Sequence, residues 1–294
     1  MKRCRSMLFM PGNNPGMLAS AQSLGADCVI FDMEDAVAQT EKDAARILIR
    51  HALTYMRPQG VGVAVRINAL DTAFWKEDIA AVVRGGADFV LAPKTNGPDY
   101  VRELMAGLEA AEAEHGVKDA RIVVFALVES ALGIENAFAI ASAHKRLGGM
   151  LLGAEDLTAE LGARRSAGGD EIFHARSRIL MACRAAGIRA IDTPFPFVTD
   201  LEALAADAAF AAQLGFDGKA AISPHHIVTI NAAFSPSPEQ INWAGRVMAV
   251  ARRAAGEGKG VASLDGMMID LPVIKRAERI LAMCDGPVED FHAN

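Results

Sequence analysis

The chain has 294 residues, 51% hydrophobic and 22% charged. That is ample for a large core, and although the length alone implies about two domains, α/β barrels of this size form one. The net charge is 30 − 36 = −6, which excludes an overall electrostatic attraction to nucleic acid or to an anionic membrane and leaves open only a local cationic patch for an anionic ligand.

The four cysteines, Cys4, Cys28, Cys183 and Cys284, are scattered and have no CxxC spacing. They read as reduced thiols, and cytoplasmic localisation is expected. The start, MKRCRSMLFMPG, is basic and then apolar like a signal peptide. Its apolar run, SMLFM, stops at Pro11-Gly12, short of the roughly 7–15 residues such a segment needs. No run approaches the 18 or so apolar residues of a membrane span.

Short apolar runs alternate with longer amphipathic ones. The strand candidates are SMLFM (6–10), CVIFD (28–32), GVAVRI (62–67), FVLAP (89–93), RIVVFALVE (121–129), GMLLGA (149–154), RAIDT (189–193) and KAAIS (219–223). Several are nearly continuous apolar runs, as parallel strands buried on both faces require. Between them, DAARILIRHALTYM (43–56) places Ala45, Leu48, Ile49 and Ala52 on one helical face. YVRELMAGLEAAEAEHG (100–116) ends on a glycine stop. DEIFHARSRILMACRAAG (170–187) and DLEALAADAAFAAQLG (200–215) each begin with an aspartate cap and end on glycine.

Eight strand–helix units in series predict an α/β fold, a (β/α)8 TIM barrel, over residues 1–255. A doubly wound sheet fits less well, because GNNPG after the first strand is not a GxGxxG turn. Residues 256–294, a glycine-rich connection and the helix VIKRAERILAMC, form a C-terminal extension that a barrel does not need.

Barrel active sites lie at the C-terminal ends of the strands. Those ends carry Asp32, Glu34 and Asp35; Arg66; Lys94; Glu129; Glu155 and Asp156; Asp192; and His225-His226. Acids this close resist ionising together unless a cation compensates. The set is hard oxygen without clustered thiols, which favours Mg²⁺ or Mn²⁺ over Zn²⁺. Glu129 and Asp156 end neighbouring strands, so one ion can bridge them. A single acid past a strand is otherwise a helix cap, and Arg66 alone is a salt-bridge partner; beside a metal, its fork matches a carboxylate. Lys94 reads equally as a loop-shaping residue, and the histidine pair as loop surface. Glu41 and Asp43 read as first-turn helix acids.

RSMLFMPGNNPGML, VIFDMEDAV, VRINALDT, APKT, LVESALGIENA, LLGAEDLTAELG, INAAFSPSPEQI and DGMMIDLP occur in order over nearly the whole chain. Together they resemble the citrate lyase β-subunit family, within a group of acyl-CoA carbon–carbon lyases that includes malyl-CoA and citramalyl-CoA lyases. The resemblance implies a Mg²⁺-dependent barrel, usually trimeric. Glu129 and Asp156 would be the metal ligands, Glu34 and Asp35 would hold the metal's waters, and Arg66 would bind the carboxylated end of the substrate. Asp270, on a tail that covers a neighbouring subunit's site in related lyases, would exchange a proton with the substrate. Two details depart from or refine the pattern. Ser223-Pro224 stands where members often read His-Pro, and the Glu-Asp pair of GAEDLTAELG matches the stand-alone members rather than the subunit of a multi-enzyme complex.

The resulting expectation is cleavage of a 3-hydroxy-3-carboxyl acyl-CoA, of citramalyl-CoA or citryl-CoA type, to an oxo acid and acetyl-CoA. Alternatives are a malyl-CoA lyase or thioesterase, a CoA-independent Mg²⁺ lyase of free oxo or hydroxy acids, and a non-catalytic scaffold subunit. Arg3, Arg5 and Lys259 are candidates for the CoA phosphates by charge and position.

Overall fold

The computed structural model describes residues 3–117, 122–256 and 261–284. The chain forms two compact units, Met1–Phe234 and Ser235–Asn294. In the first, eight parallel strands close into a barrel in sequence order: β1 (Ser6–Pro11), β2 (Cys28–Asp32), β3 (Gly62–Arg66), β4 (Phe89–Ala92), β5 (Val123–Val128), β6 (Leu147–Leu152), β7 (Arg189–Asp192) and β8 (Gly218–Ala221). β8 pairs with β1 to complete the ring. All eight expected strands form, and the expected (β/α)8 architecture is the one observed.

Alternation along the strands sorts the core into two layers. Met7, Cys28, Ile30, Ala64, Phe125 and Leu127 belong to the cluster that fills the barrel. Leu8, Val29, Phe31, Val63 and Val65 belong to the larger cluster shared with the surrounding helices. Gly149 is required by this packing: a Cβ there would come within 2.4 Å of the Phe125 ring. By the same parity, Asp32, Arg66 and Glu129 continue the inner face above the filled core, whereas Asp192 and Lys219 continue the outer one.

The helices Lys42–Tyr55, Pro98–Glu114, Phe173–Ala186 and Leu201–Leu214 lie where the periodicity predicts. Asp200 caps the last of them, accepting from the Ala203 N–H at 3.0 Å. Asp170 instead sits in a short 3₁₀ turn, Asp170–Ile172, and the helix begins only at Phe173.

The second unit contains the helix Pro238–Gly256, the hairpin β9 (Ala262–Leu264) and β10 (Met267–Ile269), and the helix Leu271–Ala282. Ala244 and Val247 pack with Ile269 and Ala277 in a small core of its own. The unit therefore takes in a helix that periodicity alone assigns to the barrel. Asp265 and Gly266 make the hairpin turn with φ of 50° and 79°, the left-handed pair that an Asp-Gly sequence supplies readily.

Candidate active site

The inner rim of the barrel is organised around Arg66. Asp32 and Arg66 stand opposite each other in the β2–β3 register, and the Asp32 carboxylate takes one whole edge of the guanidinium, at 2.7 Å from Nε and 2.5 Å from Nη2. Asp32 also accepts from the backbone N–H of Glu34 (2.8 Å) and Ala36 (3.2 Å), which shapes the loop after β2. The Phe9 ring lies under the guanidinium, 5.1 Å from its centroid. The other terminal nitrogen, Nη1, is 2.9 Å from Glu34 and 3.3 Å from Asp35. Burial works against the Arg66 charge, but these three acids more than compensate and hold it ionised.

Glu34 is buried, and neither of its carboxylate oxygens makes a hydrogen bond. The close approach of Arg66 is an ion pair without hydrogen-bond alignment. Burial raises its pKa to about 7, the Arg66 charge opposes the rise and the Asp35 charge adds to it. Beneath this loop lies a residue the sequence reading passed over. Lys42, in the first turn of its helix, is buried and donates from Nζ to the carbonyls of Met33 (2.8 Å) and Glu34 (2.6 Å). Its only advance signal was a lysine between two acids, Glu41 and Asp43, which reads as an ordinary solvated helix start.

Glu129 follows β5 on the inner face. Its Oε1 accepts from the Lys94 backbone N–H at 2.7 Å, and Lys94 adopts φ +51° to present that group. Burial raises the Glu129 pKa to about 8; the Lys94 N–H opposes the rise, and Glu34 and Asp156 add to it. Gly153 backs the carboxylate: a Cβ there would lie 2.7 Å from Glu129 Oε2. Asp156 is exposed in the first turn of the helix Ala154–Leu161, whose first N–H, that of Ala154, donates to the buried Thr193 hydroxyl at 3.1 Å. The neighbouring Glu155 pairs with Arg165 instead, 2.9 Å away. Among the described residues no group of three or more His, Cys, Asp or Glu can hold a metal alone. A Mg²⁺ ion does not require one, because it takes one or two carboxylates and fills its shell with water and substrate. The desolvated Glu129 with the exposed Asp156 beside it, backed by a buried Glu34 that makes no hydrogen bond through its carboxylate, fits such a cation.

The structure thus brings Arg66, Glu34, Asp35, Lys94, Glu129 and Asp156 into one neighbourhood. It removes Asp192 from the ring of rim acids: Asp192 faces outward and is neutralised by Arg176 and Lys219. It also corrects the reading of His226 as surface, since that ring is fully buried with Nε2 3.1 Å from the Val198 carbonyl. Arg5 precedes β1 at the opposite end of the barrel and is occupied by Asp27 at 2.8 Å. Lys259 lies outside the described residues. Asp270 belongs to the second unit, where it caps the final helix by accepting from the Val273 N–H at 3.2 Å.

Residues 5–224 match the family described as HpcH/HpaI aldolase/citrate lyase. The chain belongs to that family. The citrate lyase subunit beta of Leuconostoc mesenteroides subsp. cremoris is 42% identical over 281 residues, spanning 96% of this chain and 93% of the relative. A (3S)-malyl-CoA thioesterase of Cereibacter sphaeroides is 37% identical, spanning 96% and 94%. Among solved structures, protein CitE from Mycobacterium tuberculosis in complex with magnesium, acetoacetate and coenzyme A superposes with a TM-score of 0.78 at 36% identity, covering 96% of this chain and 98% of that one. The family expected from the sequence motifs is the one the comparisons give.

Proposed function

We propose that this family member is a Mg²⁺-dependent carbon–carbon lyase. Its substrate would be a 3-hydroxy-3-carboxyl acyl-CoA thioester of citramalyl-CoA or citryl-CoA type, and its products an oxo acid and acetyl-CoA. The observation that carries the reading is the excess of desolvated acid at the barrel rim, Glu129 and Glu34 above all, beside a cation fixed by Asp32. The relatives named citrate lyase subunit beta and the CitE complex with magnesium and coenzyme A support it. The protein is further proposed to be a cytoplasmic homotrimer in which the second unit serves a neighbouring subunit's site.

Glu129 and Asp156 would hold the ion, with Glu34 and Asp35 positioning its waters. When bound there, Mg²⁺ supplies Lewis-acid polarisation of the substrate's oxygens, and Mn²⁺ can replace it. Arg66 faces the substrate through Nη1 alone, since its Nε edge belongs to Asp32; it would meet negative charge growing on the thioester as the carbon–carbon bond breaks. Cleavage turns the hydroxyl carbon into the oxo-acid carbonyl, its hydroxyl proton passing to solvent water, and leaves the thioester enolate. Asp270 would return one proton to the enolate carbon, so protons balance, and would remove it in the reverse condensation.

The test is to incubate purified protein separately with citramalyl-CoA, malyl-CoA and citryl-CoA, with and without EDTA, and to follow acetyl-CoA, free CoA and the oxo acid. EDTA-sensitive pyruvate from citramalyl-CoA, or oxaloacetate from citryl-CoA, is the expected result. Free CoA with intact hydroxy acid would replace the lyase by a thioesterase, the second reading, which the 37% identical malyl-CoA thioesterase favours. Asp270→Asn keeps a good helix cap, yet should lower turnover about a hundredfold to ten-thousandfold with Mg²⁺ and substrate binding retained. Wild-type turnover in that variant would remove Asp270 from the mechanism.

A further inference from the structure

We infer that Lys94, rather than Arg66, is the principal anchor for the carboxylate of the substrate, an assignment that rests on the lyase reading above. Arg66 reaches the site already committed. Asp32 occupies its Nε–Nη2 edge at 2.7 and 2.5 Å, Glu34 and Asp35 lie within 3.3 Å of Nη1, and the Phe9 ring covers one face. Its Nε–Nη2 edge and one face are therefore closed, and only Nη1, between Glu34 and Asp35, is left for a ligand. A substrate carboxylate at that corner would also have to be desolvated beside Glu34 and Asp35.

Lys94 stands among the same acids but differs in exposure and in commitment. Its side chain is 47% exposed, and its ion pair with Glu34 is long, Nζ to Oε1 at 3.5 Å. An incoming carboxylate can displace that contact without uncovering a buried pair. Its ammonium faces Glu34, Asp35, Glu129 and Asp156, the acids proposed to surround the ion, and although burial works against the charge, those acids hold it.

The backbone explains how Lys94 comes to stand there. Its φ of +51° is uncommon for a residue with a Cβ. The conformation is held on both sides: Lys94 N–H donates to Glu129 Oε1 at 2.7 Å, Thr95 N–H to the Leu127 carbonyl at 3.1 Å, and the Thr95 hydroxyl to the Ala92 carbonyl at 3.0 Å. One turn therefore orients the proposed metal ligand through its main chain and presents a half-exposed cation beside it through its side chain. A carboxylate and a hydroxyl on the same substrate carbon have matching needs, an ion for both and an ammonium for the carboxylate's residual charge.

Lys94→Met and Lys94→Arg separate these roles, because both keep the backbone N–H on Glu129. Steady-state kinetics with the thioester the wild type cleaves, plus inhibition by the oxo-acid product and by free CoA, is the experiment. A group that binds a carboxylate equally in ground and transition states changes KM and not kcat. Lys94→Met is expected to raise KM by about tenfold and to weaken oxo-acid inhibition by the same factor. Inhibition by CoA, which has no carboxylate, stays unchanged, and Lys94→Arg recovers part of the loss. A Lys94→Met enzyme with KM and oxo-acid inhibition within about twofold of wild type, or one whose CoA inhibition weakens equally, overturns the Lys94 assignment while the lyase reading stands. No turnover of any of the three thioesters by wild type overturns both.

Discussion

Two charged clusters line the two faces of this barrel's strands, and they do opposite things. At the inner rim, Asp32, Glu34, Asp35, Glu129 and Asp156 face Arg66, Lys94 and the underlying Lys42: five acids against three cations. On the outer face, Asp192 and Lys219 stand opposite each other in the β7–β8 register and meet Arg176 and Asp207 from two helices. That quartet is two acids against two bases, all buried, with contacts of 2.6–2.8 Å. In the balanced cluster, burial would raise the Asp192 pKa, yet Lys219 and Arg176 push it below the usual carboxylate range. In the unbalanced one, burial wins, and Glu34 and Glu129 are pushed up to about 7 and about 8. A closed charge cluster is a brace; one with acid to spare is a place for a cation.

Exchanging one oxygen for nitrogen in each cluster should separate the two most widely. Glu129→Gln keeps an acceptor for the Lys94 N–H. It should lower turnover on the order of a thousandfold, the rate equivalent of losing several kcal/mol of Lewis-acid stabilisation. Thermal stability measured in EDTA should not fall, because a desolvated, poorly paired carboxylate has been removed. Asp192→Asn should instead destabilise the fold by about 3–5 kcal/mol, the usual consequence of leaving buried cations unpaired, as read from urea unfolding. If Glu129→Gln melted the protein and Asp192→Asn did not, the division between site and brace would be reversed.

Acid sharpens the same contrast. A carboxylate with a depressed folded-state pKa stabilises the protein above its unfolded value, near 3.9, and that contribution disappears as pH falls through the folded value. Asp192 is such a group. Unfolding free energy should therefore drop from about pH 4 downward, and the drop should be shallower in Asp192→Asn. An identical slope in both proteins would show that the brace carries no acid-sensitive stability.

What the sequence made legible follows from where each signal lives. The eight strands were readable because buried parallel strands are apolar on both faces and end at glycines or charges. That Glu129 and Asp156 share a neighbourhood was readable because they follow adjacent strands, β5 and β6. Side-chain direction was not. Asp32 and Asp192 each close an apolar run, and only β-parity, fixed by the register with β3 and β8, sends one inward and the other outward. The same blindness assigned Arg66 a free fork when Asp32, one strand away, holds half of it. The helix Pro238–Gly256 has the amphipathic pattern of a barrel helix, and what reveals its place in the second unit is its packing with Ile269 and Ala277, not its own sequence. The hairpin before Asp270 was hidden by its short strands, although Asp265-Gly266 was a turn signal in plain view.

Lys42 supplies the finest test, because it is a cation that belongs to the rim by charge and to the brace by burial. Its ammonium is sealed under the β2 loop, and desolvation pushes its pKa down while Asp32, Glu34 and Asp35 push it back. The Glu34 carbonyl has a second partner in the Val37 N–H, at 3.0 Å, so the bond to Met33 is the one whose loss strands an acceptor. Lys42→Met fills the same channel with apolar atoms and should cost about 1–3 kcal/mol, the range for a lost hydrogen bond from a charged donor. If Lys42 were only a brace, the effect would end there. Because the two carbonyls flank Glu34 and Asp35, the loop should also lose its set. Mg²⁺ affinity, measured by calorimetry at a temperature where the variant is fully folded, should fall about 10- to 100-fold, as for other residues that support a metal's surroundings. Unchanged Mg²⁺ affinity alongside the stability loss would place Lys42 with Arg176 and Lys219 rather than with Arg66.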